Sequence, residues 1–163
     1  MSLKAVPLRC NTPPGIEALD KYEDVQLISS EYIAGEEHLE SAIKSAKRAF
    51  KRKENISTNP FIEVVVRAAQ NKQIKIAFDV LGPGDSKEVI AICEKYPKRF
   101  IEEYRCTEDK SILKVDEKRY EKIKRIFDIG EDEIMAVSGA SFEEKVETLK
   151  KIIAERMALL NKV

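Results

Sequence analysis

The sequence predicts a mixed α/β fold with a central mixed sheet of about four or five strands flanked by helices and a long amphipathic helix at the carboxyl end. Three observations predict it. Val89-Ile90-Ala91-Ile92-Cys93 is a short unbroken apolar run of the kind that fills a sheet interior. Val25-Gln26-Leu27-Ile28 reads as a second buried strand. Elsewhere apolar residues recur at three- and four-residue steps, the spacing of helices with one buried face. At 163 residues the chain is expected to form one domain, 1–163, with a core large enough to need no staple.

Taken in order, Ala5 to Cys10 reads as a short strand. Asn11-Thr12-Pro13-Pro14-Gly15 closes it and can cap a short helix through Ile16, Leu19 and Tyr22. After the Val25 strand, the chain turns through Ser29, Ser30 and Tyr32 to Gly35. Leu39, Ala42, Ile43, Ala46 and Phe50 then form one apolar stripe of a helix. Thr58 or Asn59 can cap the next helix, Pro60 suits its first turn, and Phe61, Val64, Val65 and Ala68 make its inner face. Gln73 to Leu81 fits two patterns. Ile74, Ile76 and Phe78 alternate as in a strand, whereas Ile74, Ala77, Phe78 and Leu81 suit a helix; the stop at Gly82-Pro83-Gly84 favours the helix. Beyond the Val89 strand, Phe100, Ile101 and Tyr104 mark a turn of helix, and Ser111 to Val115 is a short strand or a connector. A helix runs from Asp116 through Tyr120, Ile123 and Phe127 toward Gly130, and Glu131 to Val137 is a short helical or extended piece. Ser141 and Glu144 form a capping box for the last helix, whose stripe is Phe142, Val146, Leu149, Ile153, Met157 and Leu160, widened by Ile152 and Leu159.

Composition narrows the function classes. Hydrophobic residues make up 43% and charged residues 36%, which fits neither a disordered tail nor a membrane span. Many Lys, Glu and Ile, few Gln and no Trp resemble proteins of heat-loving organisms. Cys10, Cys93 and Cys106 are odd in number and widely spaced, so they are expected to be reduced thiols of a cytoplasmic protein. Nothing at the amino end has the pattern of a signal peptide. The glycine-rich turn Gly82-Pro83-Gly84-Asp85-Ser86-Lys87 lacks P-loop spacing, and no dinucleotide fingerprint occurs. His38 is the sole histidine, which rules out a cluster of histidine metal ligands; in the first turn of an amphipathic helix it is expected to be structural. No metal or cofactor is expected, and no catalytic residue stands out.

The most informative feature is the distribution of charge. The net formal charge is zero, yet Lys44 to Lys75 holds nine Lys or Arg against Glu54 and Glu63 alone. Lys44 to Lys53 contains six bases and no acid, so the intrahelical ion pairs of a purely stabilising charged face are missing. Such a window attracts phosphate. Arg67, Lys72 and Lys75 flank Gln70, Asn71 and Gln73, whose amides suit phosphate, sugar hydroxyls or base edges.

A family resemblance joins these segments. Val25-Gln26-Leu27-Ile28, Glu37-His38-Leu39, Ala42-Ile43-Lys44-Ser45-Ala46, Ser57-Thr58, the helix Phe61 to Ala69, Gln73-Ile74 and Leu81-Gly82 resemble the small kinase-binding (TPRKB, CGI-type) subunit of the KEOPS, or EKC, complex, in an archaeal-looking form. The resemblance implies a non-catalytic subunit that binds the small atypical Bud-type protein kinase/ATPase of KEOPS. It also implies recruitment of tRNA through its single-stranded 3′ CCA end, in support of threonylcarbamoylation of the adenosine next to the anticodon.

By that analogy the tRNA-binding residues are expected to be Gln73 and Ile74, joined by proximity by Arg67, Asn71, Lys72 and Lys75, with Lys47, Arg48 and Lys51 as electrostatic surround. The kinase-binding residues are expected on the wide stripe of the last helix: Ile152, Ile153, Arg156, Met157, Leu159 and Leu160. Two rivals remain open from the residues alone. One is a protein-only regulator of a kinase whose basic window meets an acidic partner. The other is a small hydrolase or transferase with carboxylates assembled by the fold.

Overall fold

The computed structural model describes residues 1–15 and 17–162; Ile16, expected in the first helix, lies outside the described residues. Four strands form one sheet in the order β2-β3-β1-β4: β1 Lys4–Cys10, β2 Val25–Ser29, β3 Glu88–Cys93 and β4 Cys106–Glu108. All three pairings are antiparallel, where a mixed sheet was expected. Register sets Val6 opposite Ala91, Leu27 opposite Ala91, and Cys10 opposite Cys106. Strand β4 has no counterpart in the sequence reading.

Period-2 alternation divides the strands between two cores. Val6, Leu8, Val25, Leu27, Val89 and Ala91 face the smaller one, closed by α1 (Glu17–Lys21) and α5 (Lys98–Glu103) through Ala18, Tyr22 and Phe100. The Tyr22 and Phe100 rings meet edge to face at 5.5 Å. Ile28, Ile90 and Ile92 face the larger core, built by α2 (Glu36–Arg52), α3 (Pro60–Ala69), α4 (Ile74–Leu81), α6 (Glu117–Ile126), α7 (Glu131–Met135) and α8 (Phe142–Ala158).

Local chemistry explains the helix ends. Asn59 Oδ1 accepts from the Phe61 N–H at 2.9 Å and Pro60 occupies the first turn of α3. Asp116 caps α6 by accepting from the Arg119 N–H at 2.8 Å. Ser141 Oγ accepts from the Glu144 N–H and donates to Glu144 Oε1 at 2.9 Å, the expected capping box. Helix α2 follows Gly35, whose φ of 84° is a left-handed conformation that suits glycine. Gln73–Leu81 is resolved as helix α4 from Ile74, and Lys110–Leu113 is a single 3₁₀ turn rather than a strand.

Helix α8 packs on α2 with the same chain direction. Lys150 Nζ lies 3.3 Å from Glu37 Oε2 in the first turn of α2, and Asn161 Nδ2 donates to the Glu54 carbonyl, 3.2 Å away, beyond its last turn. Glu131 locks the other side of α8: it accepts from Tyr120 Oη at 2.9 Å and pairs with Lys124 at 2.5 Å and Lys145 at 3.1 Å, which lowers its carboxyl to about 2.

One expectation about the cysteines is corrected. Cys10 and Cys106 are not reduced thiols: they form a disulfide across the β1–β4 pair, 96 residues apart in sequence. Only folding brings them opposite each other, so sequence spacing carries no sign of the bond. Cys93 is free and buried, and burial pushes its thiol up to about 11. Among the described residues no helix is long and apolar enough to cross a membrane.

Candidate interaction surfaces

The basic window separates into an exposed part and a buried part. Lys44, Lys47, Arg48, Lys51, Arg52 and Lys53 are all exposed on or just beyond α2. None of the six joins an ion pair among the described residues, although twelve pairs form elsewhere. Lys51 and Arg52 in the last turn complement the helix dipole.

The α3–α4 turn adds donors. Gln70 takes a left-handed conformation at φ 55° and ends α3, and Asn71 Oδ1 accepts from the Gln73 N–H at 2.8 Å. Gln73 then opens α4 with no side-chain cap and no acid in the first turn, so the free N–H groups there carry positive potential next to exposed Lys72 and Lys75. Ile74 is 38% and Ile76 36% exposed beside them. The Gln70 amide nitrogen is buried with no acceptor among the described residues, at the root of this turn.

Arg67 departs from its expected place. Its side chain is buried, and it pairs with the equally buried Glu63, Nη2 to Oε2 at 2.7 Å and Nε to Oε2 at 2.8 Å. The other Glu63 oxygen accepts from the Ile56 and Ser57 N–H groups at 2.8 and 2.7 Å. Arg67 Nη1 donates to Asn161 Oδ1 at 2.8 Å and Nη2 to the Glu54 carbonyl at 3.3 Å. Arg67 therefore clasps the α2–α3 loop to the carboxyl end, and a surface contact would require opening the core. His38 is structural, as expected: Nδ1 accepts from the Ala34 N–H at 2.9 Å, and Nε2, thereby the protonated nitrogen, donates to the Ala68 carbonyl at 2.9 Å.

The last helix also divides. Ile153, Met157 and Leu160 are buried in the larger core, so they are not available to a partner. Ile152 is half-buried, Leu159 is 49% exposed, and Arg156 lies between them on the same side. Arg156 donates to the Phe127 carbonyl and, at 3.2 Å, to the Asp128 carbonyl, and it pairs with Glu133 at 3.5 Å.

A family profile matches residues 16–161, and its description is kinase binding protein CGI-121. The chain belongs to the CGI-121 family. No curated protein matches it closely enough to count as a relative. The segments that carried the resemblance in the sequence lie, in this family member, on β2, α2, the α2–α3 loop, α3 and α4.

A cavity of about 880 Å³ in this CGI-121 family member opens between Ser29–Tyr32, the Gly82–Lys87 loop and α6. Charges of both signs line it, and Lys122 already pairs with Glu31 at 2.8 Å. Among the described residues no group of three or more His, Cys, Asp or Glu is placed to hold a metal ion.

Proposed function

We propose that this protein is the kinase-binding, non-catalytic subunit of a KEOPS complex and that it recruits tRNA, through the 3′ CCA end, to the modification of the adenosine next to the anticodon. The kinase half of the reading is supported by membership of the CGI-121 family, described as kinase binding. The partner is then a small atypical Bud-type kinase/ATPase, met through the accessible margin of α8 at Ile152, Arg156 and Leu159.

One observation carries the tRNA half: an uncapped helix start at Gln73, flanked by Lys72 and Lys75, with Ile74 and Ile76 exposed beside them. Free N–H groups and lysines suit phosphates, and the isoleucines offer apolar contact to unstacked bases. Arg67 leaves the contact set because of its burial; Asn71, Lys72, Gln73, Ile74 and Lys75 form the contact, with Lys47, Arg48 and Lys51 as surround. A cytoplasmic location agrees with the disulfide if the source is heat-loving, since intracellular disulfides are common there.

The test is the triple variant Lys47→Glu, Lys51→Glu, Lys75→Glu, at positions where no ion pair is lost among the described residues. Binding to tRNA should weaken at least tenfold at about 0.1 M salt, and the slope of log affinity against log salt should fall by about 0.7 to 0.9 for each phosphate contact removed. Removing the terminal CCA nucleotides from the RNA should abolish most of the wild-type affinity. Unchanged tRNA affinity in the folded triple variant would refute this RNA face.

A further inference from the structure

Eight large apolar side chains are exposed among the described residues, and four of them, Ile126, Met135, Val137 and Leu159, lie between α6 and the end of α8. Arg156 draws these segments together. Its guanidinium holds the Phe127 and Asp128 carbonyls, directly after Ile126, and reaches Glu133, two residues before Met135. Val137 continues the line: with Glu147, Thr148 and Lys151 of α8 it lines a cavity of about 330 Å³. At 75% exposure Val137 contributes almost nothing to the core.

The segment that carries Met135 and Val137 is acidic, while Arg125, Lys151 and Arg156 border the strip elsewhere. Glu131 to Glu147 holds six acids and a single base, Lys145. Lys124 and Lys145 neutralise Glu131, whereas Asp132 and Glu143 are exposed and in no ion pair among the described residues. An apolar centre with a charged rim is the anatomy of a protein docking surface, and an acidic rim repels RNA.

We propose that this strip, continuous with the α8 margin, is where the kinase docks, and that the kinase presents to it an apolar patch rimmed by Lys or Arg. The inference rests on the kinase-binding reading above. It adds α6, α7 and the loop after α7 to the contact and fixes the sign of the partner's charge.

The experiment titrates the purified Bud-type kinase of the same source into the full-length protein by calorimetry. Met135→Glu with Val137→Glu should weaken kinase binding about 100-fold, because it places charge at the apolar centre. Asp132→Lys with Glu143→Lys should weaken it about tenfold at low salt, with a smaller difference at about 0.5 M NaCl. Both variants should keep the wild-type melting temperature and tRNA affinity. Wild-type kinase affinity in the folded Met135/Val137 variant overturns the surface and leaves the kinase reading standing. Absence of any kinase binding by the wild-type protein overturns both. If the charge variants instead abolish a self-associated species in sedimentation while kinase affinity holds, the strip belongs to a second copy and the proposal fails.

Discussion

Burial of His38 between the Ala34 amide and the Ala68 carbonyl holds its imidazole neutral, and the cost of burying charge lowers its pKa to about 4. In the unfolded chain the ordinary value is about 6.5, so between the two values the unfolded state binds a proton that the folded state refuses. The neutral ring's contribution is complete above about pH 6.5, shrinks as pH falls toward 4, and changes no further below that. Its size is about 3 kcal/mol. Urea midpoints at pH 7.5 and pH 4 should show this extra loss in the wild type and not in His38→Gln; equal losses in both would mean that His38 titrates normally in the folded protein. The structural role of His38 was legible from its position in an amphipathic first turn. The role of Arg67 was readable too, by a signal of a different kind. Helix α3 reads Pro60-Phe61-Ile62-Glu63-Val64-Val65-Val66-Arg67-Ala68-Ala69, apolar around nearly its whole circumference, so its two charges four residues apart had to neutralise each other inside. Counting Arg67 with a surface charge window overlooked that. Removing either partner strands a buried charge at a cost of about 3–5 kcal/mol, so substitutions at Arg67 report on folding rather than on RNA.

Helices were more legible than strands at the scale of elements, for a physical reason. The caps at Asn59, Asp116 and Ser141 and the stripes of α2, α6 and α8 are local patterns that survive into the structure. Strand direction and the three-residue strand β4 depend on what lies opposite. Cys106-Thr107-Glu108 has no buried alternation of its own and becomes a strand only because β1 offers Leu8, Arg9 and Cys10 as partners. Within the last helix the sequence could not divide a wide stripe: Ile153 and Met157 face the core, while Ile152 and Leu159 stand at its margin. The Cys10–Cys106 bond secures β4 to β1, assisted by the ion pair of Arg9 with Asp109 at 3.0 Å. Closing a loop of this length is worth about 2–5 kcal/mol to a folded protein. The double variant Cys10→Ser, Cys106→Ser should therefore unfold at a lower guanidinium midpoint than the oxidised wild type. Reductant should shift the wild type to the variant's midpoint and leave the variant unchanged; coincident midpoints without reductant would show that the bond does not form.

The whole molecule carries no net charge but is electrically polar. The cations of α2 crowd its second half, and the acids of α7 and the start of α8 gather toward the other end, because α8 runs alongside α2 with Lys150 against its first turn. The proposed tRNA and kinase contacts use different side chains, so the two partners should bind together. Titrating the kinase into protein saturated with tRNA should give an affinity within about threefold of that for free protein, a coupling below 1 kcal/mol. Mutual exclusion would mean that the two surfaces share ground. The charge segregation itself was plain in the sequence, whereas the direction of α8 along α2, which turns it into a molecular dipole, was not. The disulfide has a consequence for handling the protein as well. It makes residues 10 through 106 a covalent ring. A protease that cuts the ring once releases nothing: the nicked product runs at its full mass without a thiol and separates into two pieces when one is added.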